Sequence, residues 1–149
     1  MTTEPTTTPQ DPDHWLYRLT EEEWLAAARN ELESCRAALR ARNRRAGVVG
    51  ARRATGMALN ALLVRGPIER YEAFGRSYMD HLQALAQAAE APLAIREAAQ
   101  RLVDAPTGGA QVVTLRRSAE DAAESEVAHW AEQIIAHVQR QLAAPPAVA

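Results

Sequence analysis

Arg76 and His81 are the pair in this 149-residue chain whose types and spacing suggest joint chemistry. A guanidinium grips phosphate oxygens, and an imidazole moves a proton near neutral pH. Together they would act on a phosphate ester, with Tyr78 between them helping to orient the substrate. Five residues is about 1.4 helical turns, so the two converge only if Arg76 bends round the start of its helix. His81 also has a plainer reading. A single histidine on a helix with an apolar face is more often a hydrogen-bonded structural residue.

A second constellation is electrostatic. The chain has 17 basic residues, all arginine, and 19 acidic ones, a net charge of −2. No acid occurs between Glu33 and Glu69, while Arg36, Arg40, Arg42, Arg44, Arg45, Arg52, Arg53 and Arg65 all fall there. Such a segment can hold RNA or another polyanion through phosphate contacts, with Arg44, Arg45, Arg52 and Arg53 as the candidates. It reads equally as a solvated helix junction neutralised by acids of the last helix. Aromatic residues for base stacking are lacking there, which disfavours single-strand recognition of that kind.

The remaining candidates are weaker. Glu126 and His129 have the Glu-x-x-His spacing of carboxylate di-iron sites, and His137 lies two turns further on. A second such motif is missing. His14 belongs to the polar N-terminal segment. Cys35, the lone cysteine, falls on an apolar helical face and reads as a buried, inert thiol. No phosphate loop, nucleophile elbow, zinc spacing or dinucleotide fingerprint occurs. The expectation is no metal and no cofactor.

The composition determines what positions these residues. Apolar residues make up 47% but aromatics only 5%, and the excess is alanine and leucine, which favour helices. Thr20 and Glu23 fit a capping box, followed by an apolar stripe at Trp24, Ala28, Leu32, Cys35 and Leu39. Gly47 separates a second helix, about 48–64, which ends at Gly66-Pro67. Its small residues at 50, 51, 54 and 58 invite close packing. A third helix spans about 75–89, with Tyr78, Leu82, Leu85 and Ala89 inward. Pro92 opens a fourth, with Ile95, Ala99 and Leu102 inward. After a loop at 104–117, in which 112–115 could extend, Ser118 caps a last helix running to about Leu142. Its stripe is Val127, Ala131, Ile134, Val138 and Leu142. His14, Trp15, Tyr17 and Leu19 are placed to pack back over the bundle.

The sequence therefore predicts an all-α, up-and-down bundle of four to five helices over 14–142. Residues 1–13 form a disordered, Thr/Pro-rich arm and 143–149 a disordered tail. Neither a leader nor a membrane span is visible, so a cytoplasmic protein is expected.

Three stretches carry a resemblance. Ala51-Arg-Arg-Ala-Thr-Gly-Met-Ala-Leu-Asn-Ala-Leu-Leu63 looks like the second helix of HEPN domains, Asp80-His81-Leu82-Gln-Ala-Leu85 resembles the segment where many of them place a histidine, and Trp24–Leu32 is similar in style to their first helix. The resemblance covers roughly 20–142 and implies a helical bundle that dimerises or docks on a protein partner. Its catalytic members cleave RNA without metal through Arg-x4–6-His, a pattern that Arg76 and His81 satisfy. Ser77 stands where those members usually carry Asn, Asp or His, and the motif comes early in the fold. What the resemblance favours is a non-catalytic module, with the ribonuclease and polyanion binding as alternatives.

Overall fold

A computed structural model describes residues 15–65, 74–75, 77–107 and 117–144. The predicted arm, Arg76, the 112–115 stretch and residues 145–149 lie outside the described residues. Among the described residues, five α-helices follow a 3-10 turn at Trp15–Arg18: α1 Glu21–Arg40, α2 Arg44–Arg65, α3 Tyr78–Ala86, α4 Leu93–Asp104 and α5 Arg117–Ala143. No strand occurs among the described residues.

The entry to α1 follows directly from sequence. Glu23 N–H donates to the Thr20 hydroxyl at 3.1 Å, and Thr20 N–H donates to the Glu23 carboxylate at 2.9 Å. The five residues of the predicted stripe are the five buried residues of α1. The 3-10 turn folds back over this face: Trp24 Nε1–H donates to the Leu16 carbonyl at 2.9 Å, and Leu16 packs on Leu63.

The turn into α2 departs from expectation. Gly47 does not separate the helices; it lies inside α2, beneath Leu39. The reversal falls instead on Arg42, whose φ is 65°. Arg42 N–H donates to the Leu39 carbonyl and Asn43 N–H to that of Ala38, at 2.9 and 2.8 Å. That pair of bonds is a Schellman ending, with arginine where glycine is usual. The Asn43 side chain then accepts from Ala46 N–H at 3.1 Å, so α2 starts four residues earlier than its apolar pattern suggests.

α2 is the central strut. It packs against α1, α3, α4 and α5, and its buried residues surround much of its circumference. Glycine permits two of these approaches. A Cβ on Gly50 would lie 3.3 Å from Cys35 Cβ, and one on Gly56 only 2.1 Å from the Tyr78 ring. α5 closes the bundle with Val127, Ala131, Ile134, Ile135 and Val138 buried. It begins at Arg117, so Ser118 falls within the helix rather than capping it. Among the described residues, no helix is long and apolar enough to cross a membrane.

Candidate functional site

The start of α3 is tied down more tightly than its length requires. Ser77 and Asp80 form a capping box that apolar periodicity does not reveal: Asp80 N–H donates to the Ser77 hydroxyl at 3.0 Å, and Ser77 N–H to the Asp80 carboxylate at 3.4 Å. The helix consequently begins at Tyr78, and it ends at Ala86, leaving the expected inward residue Ala89 exposed. Just before it, Gly75 adopts φ 78°, and a Cβ there would lie 2.5 Å from Asp80 Cβ. Only glycine fits both demands.

Two successive rungs hold this start to α2. Tyr78 lies over Gly56. One turn along, His81 reaches Asn60, with Nε2 3.0 Å from Oδ1, while Nδ1 lies 2.9 Å from the Phe74 carbonyl. His81 and Asn60 are both 0% exposed. Burial pushes the imidazole pKa below its ordinary 6.5, against the opposing pull of the Phe74 carbonyl and the Asp80 charge. A neutral ring has one N–H to donate, yet both ring nitrogens face oxygens. The Phe74 carbonyl is fixed in the backbone and takes Nδ1–H. The Asn60 amide can turn by 180° and offer its Nδ2–H to Nε2. In the present orientation Nδ2 is buried without a partner, so that turn satisfies the ring at no cost in donors.

This geometry bears directly on the candidate chemistry. A proton-transferring imidazole needs a nitrogen within reach of substrate. Both nitrogens of His81 are engaged inside the core, with the rings of Tyr78 and Phe74 edge-on at 6.1 and 6.3 Å. Tyr78 is half-buried, and burial raises its hydroxyl pKa above 10.0. With Arg76 outside the described residues, no convergence of the pair is on view.

The four polyanion candidates do not share one free surface. Arg52 is the most committed. Its Nε donates to the Leu102 carbonyl at 2.9 Å, and its Nη2 to those of Val103 and Ala105 at 3.1 and 2.8 Å. It thereby caps the C-terminus of α4, where orphan carbonyls and the helix dipole favour a cation. Arg53 pairs with Glu31 at 3.6 Å, and Arg44 donates to the Pro106 carbonyl at 3.3 Å. Arg45 is exposed. Arg36, with Arg29, engages Glu132 of α5, and the two guanidiniums hold that carboxyl below the usual carboxylate range. Arg65 repeats the capping role, donating to the Gln141, Leu142 and Ala144 carbonyls at 3.0–3.4 Å. Much of the arginine segment thus satisfies carbonyls and carboxylates of the bundle itself.

Elsewhere, His129 is exposed and His137 buried, its pKa lowered by burial and by Arg140. Among the described residues, no three His, Cys, Asp or Glu side chains gather as metal ligands would. Cys35 is buried and its pKa is pushed up to about 11.

Sequence reasoning missed an open cleft of about 530 Å³ between α3 and α4. Phe74, Gly75, Asp80, Gln83, Ala84, Gln87, Gln100 and Val103 line it. Asn60 was also missed, although an amide within the apolar run Met57–Val64 is a visible signal of a buried polar contact. Comparisons of the chain with family models, with curated proteins and with solved structures find no match.

Proposed function

We propose that the chain is a non-catalytic helical module that works by self-association or by docking to a protein partner, the role that its HEPN-like features imply. The observation that carries this reading is the state of His81. The residue most suited to catalysis is enclosed, bonded through both nitrogens, and used to fasten α3 to α2. Three of the four arginines suited to a polyanion, Arg44, Arg52 and Arg53, are likewise engaged by the fold. A cytoplasmic setting suits a chain with one buried, free thiol.

Light scattering at high concentration, joined to pull-down with the full chain as bait, tests the proposal. A dimer or a specific protein partner is expected. A strictly monomeric chain that retains no partner would overturn it. Mixed RNA incubated with the chain in EDTA should stay intact; cleavage abolished by Arg76→Ala would restore the ribonuclease reading.

A further inference from the structure

The bridge from His81 to Asn60 is polar and closed to solvent, both residues being 0% exposed. Nδ1 lies 2.9 Å from the Phe74 carbonyl and Nε2 3.0 Å from Asn60 Oδ1. An imidazole flanked by two acceptors has a donor for each only when it carries two protons. Asn60 Nδ2, meanwhile, is buried without a partner. The orientation with Oδ1 towards the ring therefore suits an imidazolium. The reverse orientation, with Nδ2 towards the ring, suits the neutral imidazole.

The two orientations differ in one torsion. The Phe74 carbonyl belongs to the main chain and accepts from Nδ1–H in either charge state. The Asn60 carboxamide is planar, with an acceptor and a donor on its two arms. A half-turn about its terminal side-chain torsion exchanges them without moving α2 or α3. The surroundings oppose one another over the charge. Burial disfavours it, whereas the Phe74 carbonyl and the Asp80 carboxylate, the latter on α3 beside His81, favour it. From α2 the ring meets the neutral amide of Asn60. The Tyr78 and Phe74 rings stand edge-on at 6.1 and 6.3 Å, and the Tyr78 hydroxyl, its pKa raised above 10.0 by burial, stays neutral throughout. A buried donor left facing a donor, or an acceptor facing an acceptor, forfeits its bond and its solvation together. The amide must therefore follow the proton.

We infer that His81 and Asn60 form a proton-driven toggle: the neutral ring accepts from Asn60 Nδ2–H, the protonated ring donates to Asn60 Oδ1, and the amide reverses between them while α3 stays fastened to α2. The proton comes from water and adds at Nε2, and one hydrogen bond replaces another. The Phe74 carbonyl is the fixed end of the device and the Asn60 amide its moving end. A histidine held between two immovable groups would break its bridge on changing charge; this one exchanges it.

Nitrogen-15 NMR of the full chain between pH 8 and pH 4 tests the toggle. At pH 8 His81 should be the Nδ1–H tautomer, with a coupling across the hydrogen bond from Asn60 Nδ2 to His81 Nε2. As the ring protonates that coupling should vanish, Nε2 should gain a slowly exchanging proton, and the Asn60 NH2 signals should shift with the same midpoint. An Nε2–H tautomer at pH 8, a coupling that outlasts protonation, or a ring that stays neutral until the chain unfolds would overturn the inference. Asn60→Asp supplies acceptors on both arms and so removes the toggle. Its ring should hold both protons at pH 7, and its stability should fall from pH 7 to pH 8, where the wild type stays level. The sign follows because a histidine pKa raised in the folded state stabilises below the unfolded value and loses that contribution as pH rises. A neutral ring in Asn60→Asp at pH 7 would count equally against the inference, and the wild-type spectra decide alone if that variant does not fold.

Discussion

Replacing Gly56 with alanine should destabilise the protein, although helix propensity alone predicts the reverse. In a helix interior, alanine is favoured over glycine by about 1 kcal/mol. Here the new methyl would lie 2.1 Å from Tyr78 Cδ1, 2.4 Å from Cγ and 2.7 Å from Cβ, where ordinary contact begins near 3.4 Å. Turning the ring leaves Cβ in the way, so the first turn of α3 must retreat. That motion draws His81 from Asn60 and the Phe74 carbonyl, now 3.0 and 2.9 Å away. Overpacking costs about 1–3 kcal/mol, and loosening two buried hydrogen bonds adds about 1 kcal/mol each. After subtracting the propensity gain, Gly56→Ala should lose about 2–4 kcal/mol in urea unfolding followed by circular dichroism. Gly50→Ala is the control. Its nearest neighbours are Cys35 Cβ at 3.3 Å and Cα at 3.4 Å, a misfit of a few tenths of an ångström, and its stability should stay within about 1 kcal/mol of wild type. In a Tyr78→Ala background the two ring contacts are gone and only Cβ, 2.7 Å away, remains, so the cost of Gly56→Ala should shrink by at least about 1 kcal/mol. A Gly56→Ala single variant as stable as wild type would refute the close contact of α3 on α2.

Three further outcomes follow from the same structure. Arg52→Lys should cost about 1–3 kcal/mol in urea unfolding, because one ammonium cannot span the three carbonyls that the guanidinium fork reaches; unchanged stability would refute the cap. His81 and His137 both have folded-state pKa values below 6.5, so the unfolded chain binds protons first. Stability should be full above pH 6.5 and fall as pH drops towards the folded-state values; a flat thermal midpoint from pH 7 to 5 would contradict it. Cys35, with its thiol pushed up to about 11, should react with a disulfide reagent at pH 8 only as fast as the protein opens, and prompt stoichiometric labelling would show the thiol to be accessible.

The helices with one apolar face were legible. α1 and α4 each bury a stripe and expose the rest, so periodicity located them, and Thr20 marked its own entry. α2 was legible only in outline. Being enclosed from several sides, it lacks a polar face to give it phase, and its start depends on the side chain of Asn43 and the backbone of Arg42. The candidate site was least legible of all. His81 stands out by type, but its role is decided by Asn60, 21 residues earlier, and by a main-chain carbonyl. Arg52 posed the same difficulty: one guanidinium looks alike in sequence whether it faces phosphate or the end of another helix. The cleft glutamines carry no signature, because uncharged surface amides are ordinary on helices.

The glycine-lined seam between α1 and α2 also bears on how the molecule assembles. These two helices are neighbours in the chain, joined by a three-residue reversal, and they share the largest interface in the bundle. Ordering them closes only a short loop, so little chain entropy opposes the step. Contacts of that local kind form early in helical proteins. The α1–α2 hairpin is thus the expected folding nucleus, a template already standing when α5, last in the chain, arrives to seal it. Substitutions along that seam should slow folding, whereas those on the inner face of α5 should chiefly hasten unfolding.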